Sequence, residues 1–265
     1  MGSASKAASA ASRSALARAT ALSFDQADEL FTAERIIEGS SMLLGLLSDS
    51  AVAGDTKRAA LTAVFGKTLS GEALSLVTEV VSHRWSSDDD LLAGLEDLGL
   101  RAMAASAPEG VDLIAEIFGF SAAVASSPEL ELALGSKLTP ASAKAELVSR
   151  LLSGKVSEST LAIVRHLVQV PRGRRVHALV ADATSTIADA SGAVVATVTT
   201  AHALDAAQQE RLAASLAATR GHAVRIHSRV DPALIGGVRV QIGNDIIDGS
   251  VATKIHDLRL QLAGA

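Results

Sequence analysis

The sequence predicts a mainly α fold in which two helical bundles precede a small C-terminal α/β domain. Up to about residue 190, apolar residues recur three and four positions apart, which is the period of an amphipathic helix. Part of this helical pattern occurs twice, and after Ser191-Gly192 short β-branched runs replace it. The predicted organisation is a flexible tail over residues 1–11, a first bundle over 12–108, a second bundle over 109–190 and the α/β domain over 191–265.

The N-terminal residues up to Phe24 carry three basic residues but no acid. A secretory signal is not predicted, because no compact apolar core follows the basic start. The Arg- and Ser-rich, acid-poor composition fits an organellar transit peptide. The transit peptide is the alternative here, and the first interpretation is a frayed tail that leads into a first helix around Ser12 to Leu22.

Residues that suit helix ends separate the apolar stripes of the two bundles. Ser86-Ser87-Asp88 precedes the helix that contains Leu91, and its side-chain oxygens can accept hydrogen bonds from the first-turn N–H groups. Thr139-Pro140 predicts an N-cap followed by Pro at the first helical position. Gly154 predicts the end of the helix that contains Leu151 and Leu152.

An internal repeat relates the two bundles. Lys57-Arg58-Ala59-Ala60-Leu61 aligns with Lys144-Ala145-Glu146-Leu147-Val148 at an offset of 87 residues. The same offset, without gaps, pairs inward-facing positions of successive helices: Ser70 with Ser157, Leu74 with Leu161, Val77 with Val164, Val81 with Val168, and Leu92 with Leu179. Chance similarity between helices rich in Ala and Leu is the alternative, but the gapless register favours duplication.

Residues 191–265 contain the alternating patterns of strands and the turn residues that separate them. Residues 193–199 predict a strand and 205–219 a helix, which Asp205 caps and Gly221 ends. Alternating apolar positions predict two more strands, one with Val224, Ile226 and Val230 and one with Val238, Val240 and Ile242. A tight turn at Gly243-Asn244 leads to Ile246-Ile247, and Asp248-Gly249-Ser250 precedes a last helix with Val251, Ile255, Leu258 and Leu262 on one stripe.

The composition excludes several classes of function. Of the 265 residues, 48% are hydrophobic and only 2% aromatic, with 24 Lys and Arg against 29 Asp and Glu. The net charge of −5 argues against general nucleic-acid binding, which needs a basic surface for the phosphates. Without cysteine, the chain has neither disulfides nor thiolate sites. Mean hydropathy is +0.32, but apolar stretches such as Leu161 to Val170 are far shorter than the ~20 residues that cross a bilayer.

No group of residues predicts an active site, a bound cofactor or a metal. Gly66-Lys67-Thr68 lacks the earlier glycine of a phosphate-binding loop, because Leu61 occupies that position. Gly236-Gly237 lacks the third glycine of a dinucleotide fingerprint. Asp88-Asp89-Asp90 lacks the alternating ligands and distal Glu of a calcium loop, and suits the start of a helix. No serine occurs in a G-x-S-x-G setting.

The histidines and the densest basic cluster are interpreted as surface features. No two histidines form the HExxH pair of a helical zinc site, so we expect surface or boundary positions for His83, His166, His177, His202, His222, His227 and His256. Arg172, Arg174 and Arg175 lie in a predicted loop between helices. A solvated face is the first interpretation of this cluster, and docking to an acidic partner is the second.

The segment from Val224 to Ser250 carries a longer signature. Its apolar positions, the acid after the strand, the glycines and the Asp-Gly-Ser triplet share the spacings of one family: Val224, Ile226, Val230, Asp231, Leu234, Gly236, Gly237, Val238, Val240, Gly243, Asp248, Gly249 and Ser250. On these residues the chain resembles the delta subunit of F-type ATP synthase, whose mitochondrial counterpart is the oligomycin sensitivity conferring protein. Most delta subunits have one N-terminal bundle, and a chain with two resembles the long actinobacterial form.

The resemblance implies a non-catalytic stator subunit, one copy per complex, without a cofactor. In that family the bundle grips the N-terminal helix of an alpha subunit and the C-terminal region meets the b stalk, so that the catalytic head is held still. The implied location is the cytoplasmic face of the bacterial plasma membrane, with membrane contact only through the complex. Gly243 is expected to adopt a positive φ, and Asp248 and Ser250 to cap the last helix. Which bundle receives the alpha helix stays open.

Two alternatives belong to other classes. A free-standing helical adaptor with the same C-terminal module would bind a partner amphipathic helix, but neither alpha nor b. An enzyme with a cryptic site would turn over ATP as an isolated chain.

Overall fold

A computed structural model describes residues 2–19, 22–232, 234–243 and 245–249. It divides into two compact units, Met1–Thr186 and Ile187–Ala265, which are described separately below. The first unit is helical and the second contains a four-stranded sheet. The predicted order of helical bundles and α/β domain is therefore confirmed. The predicted domain boundaries stay predictions, since the structural division falls near residue 187 and the helical part forms one unit.

The helical unit contains ten helices and most of an eleventh among its described residues. The first six are α1 (Ser3–Arg18), α2 (Phe24–Glu38), α3 (Ser41–Ser48), α4 (Gly54–Phe65), α5 (Gly71–Ser82) and α6 (Asp88–Ser106). The next five are α7 (Leu113–Ala125), α8 (Pro128–Gly135), α9 (Ala141–Leu152), α10 (Glu158–Gln169) and α11 (Val176–Ala190). Their inward stripes build a core whose largest fully buried side chains include Phe31, Phe65, Leu95 and Met103.

The N-terminal prediction was wrong. Instead of a tail over 1–11 and a helix over Ser12 to Leu22, helix α1 begins at Ser3 and ends at Arg18. Its Ala-rich sequence has a high helix propensity, and its buried stripe consists of small side chains that allow close packing on α5 and α6. The Ser5 hydroxyl donates to a carboxylate oxygen of Asp90 at 2.6 Å, which ties this helix to the start of α6.

The predicted duplication is visible in the helix bounds. Helices α4 and α9 begin at Gly54 and Ala141 and end at Phe65 and Leu152, an offset of 87 residues at both ends. Helices α3 and α8, and α5 and α10, have the same offset at both ends.

A polar contact is duplicated with the helices. The Ser70 N–H donates to the Glu29 carboxylate at 2.8 Å, and 87 residues later the Ser157 N–H donates to Glu116 at 3.0 Å. Lys57 and Lys144, the first pair of the sequence alignment, are both buried. Equivalent part-buried contacts and equivalent buried lysines in both halves support duplication more strongly than similar composition does.

Helix α6 occupies two positions of the repeat. When 87 is added to the residue numbers, α1 corresponds to α6, and the start of α6 corresponds to the start of α11. The buried stripe of α1, which contains Ser5, Ala8, Ser9 and Ser12, corresponds to Leu92, Leu95, Glu96 and Gly99 of α6, all buried. The last helix of one copy therefore corresponds to the first helix of the other, which explains why the two copies form one unit.

The predicted helix ends are largely confirmed. The Ser87 hydroxyl accepts from the Asp90 N–H and caps α6, and Gly154 follows the end of α9 with φ of +69°. The prediction at Thr139-Pro140 is wrong by one residue. Helix α9 begins at Ala141, and Pro140 stands at the N-cap position without a side-chain hydrogen bond.

The second unit is a mixed sheet with one helix packed on β2 among its described residues. Its elements are β1 (Ala193–Thr200), α12 (Ala206–Arg220), β2 (Ala223–Val230), β3 (Val238–Ile242) and β4 (Asp245–Asp248). The strand order is β2-β1-β3-β4, with β1 and β2 parallel and the other pairs antiparallel. The core contains Ala196, Val198, Leu216 and Val240. As predicted, Asp205 caps α12 and Gly221 ends it with φ of +72°.

No single helix among the described residues is long and apolar enough to cross a membrane. Helices α7 and α8 together have the length and apolar composition of a membrane-spanning segment, but the pair is bent by 106° at the break between them.

Candidate interaction surfaces

Each unit exposes large apolar side chains. In the helical unit, Met42 is 85% exposed, Leu132 74% and Leu138 95%. In the second unit the exposed apolar side chains are Val230, Ile235, Ile246 and Ile247. Exposed apolar side chains that lie together on a surface are typical of protein–protein contact sites.

The strands that carry the signature residues position part of the exposed apolar surface of the second unit. Val224, Ile226, Val238 and Val240 pack on the sheet core, while Val230 at the end of β2 is 47% exposed. Strand β4 carries Ile246 and Ile247 opposite Gln241 and Val240 of β3. Strand β4 is an edge strand of the described sheet, and this position leaves its two isoleucines exposed.

The turns of the signature contain backbone hydrogen bonds and glycines with positive φ. The Asp231 N–H donates to the Thr200 carbonyl at 2.8 Å, and the Leu234 N–H donates to the Asp231 carbonyl at 3.0 Å. Gly236, Gly237 and Gly243 have φ of +148°, +84° and +58°, which favour glycine over residues with a Cβ. The positive φ predicted for Gly243 is therefore confirmed.

The end of the signature is only partly described. The Gly249 N–H donates to the Val238 carbonyl at 2.9 Å. Asp248 ends β4 and accepts from the Arg239 guanidinium at 3.0 Å. The predicted last helix, with Val251, Ile255, Leu258 and Leu262, lies outside the described residues, as does Ser250. The prediction that Asp248 and Ser250 cap this helix therefore stays a prediction.

A buried charge cluster, which we define as Glu34, Glu96, His166, Arg172 and Arg174, links the two copies of the repeat. His166 of α10 lies 3.0 Å (Nε2 to Oε2) from Glu34 of α2, and both side chains are fully buried. The His166 ring stacks on Phe31 with the centroids 4.3 Å apart. Glu96 of α6 accepts from Arg174 at 2.9 and 2.6 Å and pairs with Arg172 at 2.7 Å.

Two interpretations from the sequence are corrected by this cluster. His166 is a core residue and not a surface or boundary histidine. Arg172 and Arg174 are held by Glu96 and do not form a solvated face, whereas Arg175 is exposed. The sequence did contain a signal for this cluster, because Glu34 and Glu96 fall on the apolar stripes of α2 and α6. Carboxylates at such inward positions indicate buried partners of opposite charge.

The two carboxylates of the cluster have opposite electrostatic surroundings. Burial raises the pKa of Glu34 above its usual value, and the nearby His166 opposes this only in part. Burial also acts to raise the pKa of Glu96, but the hydrogen bonds from Arg174 and the charges of Arg172 and Arg174 outweigh it and lower that pKa. Glu96 is therefore a compensated buried charge and Glu34 a poorly compensated one.

The cluster contains the one group of potential metal ligands found among the described residues. Donor atoms of Glu34, Glu96 and His166 lie within 4.8 Å of one another. The two guanidinium groups on Glu96 already supply the positive charge that a metal ion would bring, so the arrangement favours ion pairing. Gly66, in the sequence fragment similar to a phosphate-binding loop, only ends α4, with its N–H donating to the Thr62 carbonyl.

Comparisons with known proteins agree in one family. The family model of the ATP synthase delta (OSCP) subunit matches residues 101–262. A protein of Leifsonia xyli subsp. xyli named ATP synthase subunit delta is 48% identical over 265 residues, covering 100% of both chains. Proteins with the same name from Streptomyces avermitilis and Nocardia farcinica are 36% and 35% identical, covering 89% and 95% of this chain and 88% and 94% of theirs.

A chain in the cryo-EM structure of the Toxoplasma gondii mitochondrial ATP synthase hexamer is also similar. It is 20% identical with a TM-score of 0.38, and the match covers 64% of this chain and 97% of that one.

Proposed function

Because the chain belongs to the family of ATP synthase delta (OSCP) subunits, in its long form with a duplicated helical bundle, we propose that it is a non-catalytic peripheral-stalk subunit of a proton-translocating F-type ATP synthase. It connects the catalytic head, through the N-terminal helix of an alpha subunit, to a b-type stalk subunit. In this position it resists the torque of the rotor, with one copy per complex. It lies on the cytoplasmic face of the bacterial plasma membrane and meets the membrane only through the complex.

The observation that carries this proposal is the presence of two separate compact units, each with exposed apolar side chains. A linker between head and stalk needs two attachment sites on one molecule. Joining two weak sites raises the effective concentration at the second site once the first is occupied. Amphipathic helices bind such sites through apolar anchors at i, i+3, i+4 and i+7.

The two attachments can be tested separately with the full chain. Synthetic peptides for the alpha N-terminal helix and for the C-terminal segment of b would be titrated by calorimetry against wild type and against the Ile246→Ser/Ile247→Ser variant. We expect the variant to lose about thirtyfold in affinity for the b peptide, because each of the two exposed isoleucines contributes roughly 1 kcal/mol when half buried. Affinity for the alpha peptide should not change.

The matched control is Leu138→Ser, which removes an apolar side chain that is 95% exposed in the other unit. This variant should bind the b peptide as wild type does. If neither peptide binds to the wild-type chain, the proposal fails and a free-standing helical adaptor becomes the better interpretation.

Catalysis is tested with the isolated chain. We expect no ATP turnover by the purified protein, since its role is to hold other subunits. Sustained turnover that follows the chain through purification would contradict the non-catalytic assignment.

A further inference from the structure

The second copy of the repeat contains an open groove, which we call the α8–α11 groove. It has a volume of about 850 Å³ and is lined by α8, α9, the end of α10 and the start of α11. Its floor is apolar and buried, with Leu134, Val168, Val176 and Leu179. Leu132 lines the groove and is 74% exposed, so its side chain is available to a partner.

The rim of the groove is basic. Lys137 and Arg175 line it, are exposed, and form no salt bridge with described residues. Lys144 lines it from a deeper position, Arg174 lines it with its charge already paired with Glu96 and Asp182, and Glu131 is the single acidic residue among the lining residues. The groove therefore combines an apolar floor with a cationic border in a chain whose net charge is −5.

The equivalent region of the first copy has a different character. A cavity of about 810 Å³ there is lined by Gly45, Ser50 and Asp88, which correspond at the offset of 87 to Leu132, Lys137 and Arg175. Gly2, Ser3 and Ala4 from the beginning of α1 line that cavity as well. The first copy thus has small and acidic residues where the second has an exposed leucine and two cations.

We propose that the α8–α11 groove binds an amphipathic helix of a partner protein whose apolar stripe is flanked by carboxylates. Helix-in-groove recognition places apolar anchors on an apolar floor and charged residues at the rim, and here the rim supplies positive charge. Helix α8 has 8 residues and is about 12 Å long, so two to three turns of a partner helix lie along it. The inference needs only this groove and does not rest on the stalk function.

The test uses the full chain and two designed peptides of about 18 residues, or five turns. Both peptides carry the same leucine stripe, flanked by Glu in one and by Lys in the other. Fluorescence anisotropy at low salt should show that the Glu-flanked peptide binds at least tenfold more tightly. Raising the salt concentration should reduce this preference, because rim charges are exposed to screening.

Groove variants locate the binding. Lys137→Glu/Arg175→Glu should lower the affinity for the Glu-flanked peptide about tenfold, since two attractive contacts become repulsive. Leu132→Ser should weaken both peptides by a similar factor through loss of apolar contact. The matched controls are Lys67→Glu/Lys155→Glu, with the same charge change at exposed lysines outside the groove, and Met42→Ser, with loss of an exposed apolar residue in the first copy.

Several outcomes would overturn the proposal. Equal affinity for the two peptides would contradict the preference for an acidic partner. Unchanged binding of the peptides by the groove variants would contradict the α8–α11 groove as the binding site. Sedimentation that shows a dimer which Leu132→Ser dissociates would make a second copy of this chain the occupant. Binding to anionic lipid vesicles that Lys137→Glu/Arg175→Glu abolishes, without peptide binding at the groove, would make the surface a membrane contact.

Discussion

The ion pairs of Glu96 give the sharpest stability prediction. Replacing Glu96 by Gln keeps the size of the side chain and removes its charge. The carboxylate now accepts two hydrogen bonds from Arg174 and pairs with Arg172, and its side chain is only 6% exposed. In the variant an amide N–H₂ group would face a guanidinium donor, and two largely buried cations would lose the carboxylate that they share.

The size of this effect follows from the surroundings of the cations. Breaking a buried pair from one side costs about 3–5 kcal/mol, because the remaining charge is left uncompensated. Arg174 keeps a second contact to Asp182 at 3.1 Å, and the Arg172 and Arg174 side chains are 11% and 21% exposed. We therefore expect the lower end of that range, about 3 kcal/mol, in the free energy of unfolding.

Urea unfolding near pH 7, followed by circular dichroism, measures this loss. The control is Glu146→Gln on α9, the same chemical change at an i,i+4 ion pair whose partner Arg150 is 77% exposed, and it should cost about 0.5 kcal/mol. The folded-state pKa of Glu96 is lowered, so its contribution is present above the ordinary value of 4.5 and is lost as the pH falls through the folded pKa. The gap between wild type and Glu96→Gln should therefore close in acid. An equal cost for the two variants at pH 7 would refute the reasoning.

Three further predictions test other parts of the structure. Gly99→Ala should cost about 2 kcal/mol in unfolding experiments, because a Cβ there would lie 2.7 Å from the Phe31 ring, whereas Gly119→Ala, with open space around it, should be neutral or stabilising. Gly243→Ala should lower stability by about 1 kcal/mol by calorimetry, because its φ is +58°. The pKa of Glu34 is raised, so its contribution to stability is present below the ordinary value of 4.5 and is lost as the pH rises through the folded pKa. Wild type should therefore lose stability relative to Glu34→Gln as the pH rises above 4.5, measured by urea unfolding.

Local features were predictable from the sequence because neighbouring residues determine them. Asp205 caps α12 through the Gln208 N–H at 2.7 Å, and Gly221 and Gly243 adopt the positive φ that a helix end and a tight turn require. The internal repeat was predictable for a similar reason, since similar residues at the same spacing form helices with the same bounds. The offset of 87 at both ends of α4 and α9 follows from this.

The buried charge cluster was not predictable from the sequence, because its partners lie far apart along the chain. His166 meets Glu34 only once α10 packs on α2, and Arg174 meets Glu96 across 78 positions. Helix α1 was missed because its buried face consists of Ser and Ala, which do not produce an apolar stripe. Its burial depends on the close approach of α5 and α6, which is a property of the packed unit.

The shared helix α6 explains how a duplicated bundle can still act as one body. Equivalent to α1 in one register and to α11 in the other, α6 cannot belong to one copy without also packing on the other. The buried charge cluster adds contacts of the second copy to α2 and α6 of the first through His166, Arg172 and Arg174. A relative displacement of the copies would separate these charges in a buried environment, where each uncompensated charge is costly. We therefore expect Glu96→Gln to weaken the cooperativity of unfolding within the helical unit as well as its stability, and the torque-resisting role proposed above would depend on this stiffness.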